Sequence, residues 1–141
     1  MDLLSRREYS RRELYRKLAP HAESPDELEA LLDELGQRGW QSDNRFAEQF
    51  AEIKGRKYGS RRLAAEMREK GIEGEAISAA LAEHDDTELA RQLWQKKFGQ
   101  PPQSAEERVK QIRFLANRGI AMDAIRKVLS WANSDEFGHD E

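Results

Sequence analysis

The residues of this chain best suited to chemistry are its arginines and lysines, because of where they fall. In residues 5–17, Arg6, Arg7, Arg11, Arg12, Arg16 and Lys17 oppose only Glu8 and Glu13, a local charge of +4. In residues 54–70, Lys54, Arg56, Lys57, Arg61, Arg62, Arg68 and Lys70 oppose Glu66 and Glu69, giving +5. In residues 108–127, Arg108, Lys110, Arg113, Arg118, Arg126 and Lys127 oppose Asp123, again +5. Between them lie acidic stretches. Residues 23–35 hold Glu23, Asp26, Glu27, Glu29, Asp33 and Glu34 with no base, and residues 72–83 hold Glu73, Glu75 and Glu83. A charge run is ordinarily just a solvated face. Recurrence of one sign at matching places is different, because aligned cations focus potential and steer anionic partners. The chemistry to expect is recognition of phosphate or carboxylate, not bond making.

The groups that would make bonds are missing or misplaced. Cysteine is absent, which removes disulfides, thiolate metal sites and thiol nucleophiles. His21, His84 and His139 fall in or beside expected loops and the tail, none at ligand spacing from another, and are read as solvent-exposed. The acid pairs Asp85-Asp86 and Glu106-Glu107 stand at expected helix starts, where they offset the helix dipole. The glycines are separated singles, with no phosphate-cradling loop and no nucleophile elbow. No catalytic residue, metal site or cofactor is expected. The net charge of -3 argues against a general nucleic-acid coat.

The elements that must position these charges are short helices. Helix formers dominate and β-branched residues are scarce. Ser10 with Glu13, and Ser104 with Glu107, have capping-box spacing. Ser24-Pro25-Asp26-Glu27 places a cap, a first-turn proline and first-turn acids together. Asp43, and Asp85 or Asp86, are expected to cap further helices. Apolar stripes follow each start: Leu14 and Leu18; Leu28, Leu31, Leu32 and Leu35; Phe46, Ala47, Phe50 and Ile53; Leu63 and Met67; Ile77 and Leu81; Leu89, Ala90, Leu93 and Phe98; Val109, Ile112 and Leu115; Ile125, Val128 and Leu129. Single glycines then end the helices, in a left-handed conformation that only glycine adopts cheaply.

These stripes repeat. Leu14, Leu18, Leu28 and Leu32 align with Leu63, Met67, Ile77 and Leu81 at a constant shift of 49. Met67, Gly71, Ile72, Ile77 and Leu81 align with Leu115, Gly119, Ile120, Ile125 and Leu129 at a shift of 48. Phe46-Ala47 and Phe50 match Leu89-Ala90 and Leu93 at a shift of 43. The expected architecture is all-α, an elongated tandem array of three-helix, helix-turn-helix-like repeats. Residues 1–8 are expected to end a leading helix, 9–55 and 56–99 to form the first two repeats, 103–133 a partial third, and 134–141 an acidic disordered tail. Leu63, Met67, Ile72, Ile77 and Phe46 are expected core. Trp40 is expected to anchor two helices, and Tyr58, inside a basic stretch, to be the aromatic best placed for a contact. No apolar run reaches the ~20 residues of a membrane span, and the N-terminal residues lack a signal peptide's apolar stretch, so a cytoplasmic monomer with no membrane partner is expected.

Four stretches resemble a known family, the RecX regulators of the RecA recombinase. Leu3-Leu4-Ser5-Arg6-Arg7-Glu8-Tyr9-Ser10-Arg11-Arg12-Glu13-Leu14 is similar to the family's opening segment. Arg38-Gly39-Trp40-Gln41-Ser42-Asp43-Asn44-Arg45-Phe46-Ala47 resembles its Gly-Tyr-Leu-Asp-Asp-x-Arg-Phe-Ala stretch, with Trp40 for Tyr and Ser42 for Asp. Tyr58-Gly59-Ser60-Arg61-Arg62-Leu63, running through Glu66 to Ile72, resembles its most recognisable block, and Arg113-Phe114-Leu115-Ala116-Asn117-Arg118-Gly119-Ile120 its third-repeat signature. The resemblance spans roughly residues 2–131 and implies a protein that lodges in the groove of the RecA–DNA filament. There it would damp ATP hydrolysis, strand exchange and coprotease activity in DNA repair and the SOS response, with no catalytic residues. The partner-binding basic stripe is expected to comprise Arg11, Arg12, Lys57, Tyr58, Arg61, Arg62, Lys70, Arg113 and Arg118. The alternative is a helical-repeat protein that binds single- or double-stranded DNA directly, its basic first helices on phosphates.

Overall fold

A computed structural model describes residues 7–134. The expected leading helix, but for its last two residues, and the expected acidic tail, but for Ser134, lie outside the described residues. Eight α-helices follow one another among the described residues: α1 Arg11–Leu18, α2 Pro25–Gln37, α3 Asp43–Lys54, α4 Ser60–Glu69, α5 Gly74–Ala80, α6 Asp86–Lys97, α7 Ala105–Asn117 and α8 Met122–Asn133. A 3-10 turn, Ala19–His21, extends α1. No strand occurs among the described residues.

The starts obey local chemistry. Ser10 and Glu13 form a reciprocal capping box on α1. Ser24 Oγ accepts from the Glu27 amide, with Pro25 in the first turn of α2. Ser104 Oγ accepts from the Glu107 amide, but Glu107 reaches back to the amide of Gln103, one residue before the cap. On α3 the capping side chain is Ser42, whose Oγ accepts from Arg45 N at 3.2 Å, instead of the expected Asp43. On α6 it is Asp85, accepting from Glu88 N at 3.0 Å. The acid that follows each cap is thereby released for a longer-range task.

That task is a latch, and it occurs twice. Asp43 Oδ1 accepts the backbone N–H of Arg11 at 2.8 Å, and Asp86 Oδ1 accepts that of Ser60 at 2.9 Å. Each carboxylate satisfies an amide at a helix start that has no partner within its own helix. A second side chain braces each pair. Gln41 Nε2 donates to Tyr9 O at 3.2 Å and to Asp43 Oδ1 at 3.0 Å. His84 Nε2 lies 3.2 Å from Tyr58 O and 3.3 Å from Asp86 Oδ1. Both His84 partners are acceptors, so this nitrogen carries a hydrogen. Its side chain is only 13% exposed, which corrects the solvent-exposed reading.

The chain forms two compact units. One holds α1, α2, α3 and α5 with α4 from Ala64 onward; the other holds Lys54–Leu63 and α6, α7 and α8. In the first, Leu14, Leu28, Leu32 and Leu35 make a core between α1 and α2, with Tyr9, Tyr15, Leu18 and Ala22 packed against it. In the second, Leu89, Ala90 and Trp94 of α6 join Leu115 and Ile120, and Ala124, Ile125, Val128, Leu129 and Ala132 of α8. Trp94 is 2% exposed, and its indole N–H donates to the buried Gln111 Oε1 at 2.8 Å. Phe46, Leu63, Met67, Ile72 and Ile77 are all buried, as expected.

Packing in the second unit groups α6 with α7 and α8, one helix out of phase with the 56–99 and 103–133 division. Four apolar residues expected inside are not. Trp40 is 50% exposed, with the Arg38 guanidinium 5.4 Å from its ring, and is not a buried anchor between helices; Leu31, Ile53 and Val109 are exposed as well.

Candidate partner-binding groove

In the first unit, Arg11 and Lys70 of the expected stripe are paired with carboxylates of that same unit. Arg11 pairs with Glu29 at 2.7 Å and Asp33 at 2.8 Å, both on the acidic α2. These contacts hold its guanidinium above its ordinary pKa, the Glu29 hydrogen bond contributing most. Lys70 Nζ pairs with Glu13 Oε2 at 3.2 Å. Burial alone would raise the Glu13 carboxyl. The Ser10 amide, Lys70 and Arg7 outweigh it and leave the carboxyl below its ordinary value. Arg12 lies against Gly71 and points its guanidinium at Glu69 O, 3.4 Å away. For Arg11 the reason is local: α1 packs on the carboxylate-rich α2, which brings Glu29 and Asp33 to its guanidinium.

The second unit behaves differently. Its segment Lys54–Leu63 runs against the end of α7. Gly59 N donates to Arg118 O at 2.7 Å, and Arg61 N to Gly119 O at 3.3 Å. A Cβ on Gly59 would sit 2.5 Å from Gly119 O, and one on Gly119 would overlap Arg62 Cβ, so both positions must be glycine-small. Gly119 also has φ +86°, the left-handed region.

This approach assembles a groove of about 750 Å³. Arg56, Lys57, Arg62, Lys96, Lys97 and Arg118 line it, with Tyr58 and Phe114 between them and no carboxylate on its walls. Tyr58 is the hinge of the arrangement. The Arg62 guanidinium lies 3.7 Å from its ring centroid and that of Arg118 6.0 Å, so a cation–π contact orients Arg62. Phe114 takes Arg118 at 5.1 Å and Lys97 at 5.7 Å. Among the described residues, Arg56, Lys57, Lys96, Lys97 and Arg118 form no ion pair. Six cations around one concavity repel one another, and an anionic occupant would relieve that repulsion.

Of the nine positions expected to form the stripe, the structure brings Lys57, Tyr58, Arg62 and Arg118 into this groove. It places Arg113 on an adjoining hollow of the same unit and leaves Arg61 exposed beyond both. Arg11, Arg12 and Lys70 belong to the first unit. Arg56, Lys96, Lys97 and Phe114 were missed as site residues. The two lysines sit in the last turn of α6, where cations are ordinary dipole partners. Only α6 packing beside α7 makes them part of a wall. No cluster of three or more metal-ligating side chains occurs among the described residues, and no helix there is long and apolar enough to cross a membrane.

Fold and groove together define an all-α protein of three-helix repeats with a basic groove. Family models place it further. Residues 42–81 match the second three-helix domain of RecX, and residues 84–129 the third. The regulatory protein RecX of Chromobacterium violaceum is 55% identical over 99% of this chain and 91% of its own length. That of Ralstonia nicotianae is 42% identical over 95% and 86%. A crystal structure of RecX from Lactobacillus salivarius superposes with a TM-score of 0.80 at 18% identity, covering 94% of this chain and 90% of the other. The chain belongs to the RecX family. The model boundary between residues 81 and 84 agrees with the packing of α6 onto α7 and α8.

Proposed function

We propose that this protein regulates RecA by occupying the groove of the RecA–DNA filament in the cytoplasm, damping ATP hydrolysis, strand exchange and coprotease activity. The relatives named regulatory protein RecX support a regulatory role. The observation that carries the reading is the second unit's groove, which six cations line with no carboxylate among its walls. A surface of this kind is suited to an acidic face of a partner. The basic residues that stabilise the first unit, Arg11 and Lys70, contribute to the fold in this reading more than to contact.

The test is a filament ATPase assay, with RecA assembled on single-stranded DNA and titrated with the protein. The expected result is a fall in ATP hydrolysis near stoichiometric protein. An unchanged rate would sink the proposal. A salt titration with DNA alone tests the alternative, direct phosphate binding, which predicts tight association that weakens steeply as salt rises.

A further inference from the structure

The hollow beside the basic groove has a different character. α7 presents Glu106, Val109, Lys110, Arg113, Phe114 and Asn117 along one stripe, at the spacing of a single helix face. The opposite side of α7 carries Gln111 and Leu115 into the core. Helix α7 therefore has a second, partly apolar face with no helix of its own unit over it. Lys97 and Phe98 at the end of α6 form the facing wall, enclosing about 640 Å³. Phe98 packs edge-on against Phe114 with centroids 5.5 Å apart, and Val109 is 51% exposed at the floor. Lys97, Phe114 and Asn117 line this hollow and the basic groove alike, so the two are continuous.

We propose that this stripe of α7 is a docking site for an acidic peptide segment of a partner protein carrying one large apolar anchor. The anchor sits over the exposed Val109, while flanking carboxylates meet Lys110, Arg113 and Lys97 and run on toward Arg118. Charge complementarity commits the site to an anion. The apolar floor and the state of the aromatic rings commit it to a peptide. A single strand of nucleic acid would need open ring faces for its bases. Here Arg62 covers Tyr58, and Arg118, Lys97 and the edge of Phe98 surround Phe114. The inference rests on the reading that the basic surface meets a protein, and it names which face does so.

The experiment is fluorescence anisotropy on the full chain with three labelled probes. One is a peptide of about 10 residues, ~33 Å when extended, made of Asp and Glu around one central Phe. The second has Ser in place of that Phe, and the third is an oligothymidine of similar length. The Phe peptide is expected to bind at least about tenfold more tightly than the Ser peptide, the value of burying one such side chain. V109D, a change at an exposed position, and the pair K110E and R113E are each expected to weaken it by about tenfold or more. Equal binding of the two peptides, indifference to V109D, or preferential binding of oligothymidine would overturn the inference. The filament ATPase is read on the same protein. Regulation without peptide binding removes the docking site and leaves the proposed function standing, whereas no regulation removes the function itself.

Discussion

Gln41 and His84 perform one task in two places. Each sends a side-chain nitrogen to the carbonyl of the tyrosine before a helix, at 3.2 Å in both cases, and to the aspartate that latches that helix. The two share little but a donor at the right distance, so the geometry has been kept and the residue has not. His84→Gln is therefore expected to leave stability within about 0.5 kcal/mol of the parent, and His84→Ala to cost about 1–2 kcal/mol by removing the imidazole donor from the Tyr58 carbonyl and from the Asp86 carboxylate. Urea denaturation of both variants checks this; a His84→Gln variant as weak as His84→Ala would contradict it.

Much of this architecture was legible beforehand, and what was not has a physical reason. The caps at Ser10, Ser24 and Ser104 and the buried Leu63, Met67, Ile72 and Ile77 follow from spacing within one or two turns. The period of the repeat was equally clear. Its phase was not, because a constant shift is the same wherever the cut is made; only Leu89, Ala90 and Trp94 packing against Leu115 to Ala132 decides it. Charge showed the same limit. The sign of each helix was visible, but not whether a neighbour neutralises it, and so Arg11 and Arg118 looked alike until Glu29 and Asp33 were found on Arg11 and no carboxylate on the walls around Arg118.

Glycine positions differ in what they tolerate. Gly39 has φ +74° in open space, so Gly39→Ala should cost about 1 kcal/mol from backbone strain alone. Gly119 has a similar φ but is pressed against Arg62, so Gly119→Ala should cost about 3 kcal/mol or more and disturb the groove as well. Thermal denaturation ranks the pair; equal losses would show that the close approach is unimportant.

The Glu13 carboxyl is held below its ordinary value of 4.5 in the folded protein. A depressed carboxyl contributes stability that is fully present above the unfolded value and is lost as the pH falls through the folded one. Stability should therefore decline below pH 4.5, and Glu13→Gln should be weaker at neutral pH yet lose less on acidification. Denaturation midpoints across that range test it, and parallel curves for parent and variant would count against the Glu13 pairs with Lys70 and Arg7.

Trp94 and Gln111 form the buried polar contact of the second unit's core, and Gln111 Nε2 also donates to Gln100 O at 3.2 Å. Gln111→Leu should cost about 1–3 kcal/mol, since it removes the amide oxygen that accepts from the indole N–H and the amide N–H that donates to the Gln100 carbonyl. Chemical denaturation followed by tryptophan fluorescence would detect it; unchanged stability would mean water replaces the amide.

The most direct measurement is the filament ATPase titration with the parent protein and with Lys57, Lys97 and Arg118 changed together to Glu, the fold checked by circular dichroism. The groove account predicts that the variant stays helical but needs about tenfold more protein, or greater, for the same fall in ATP hydrolysis. Equal potency of the two proteins would contradict it.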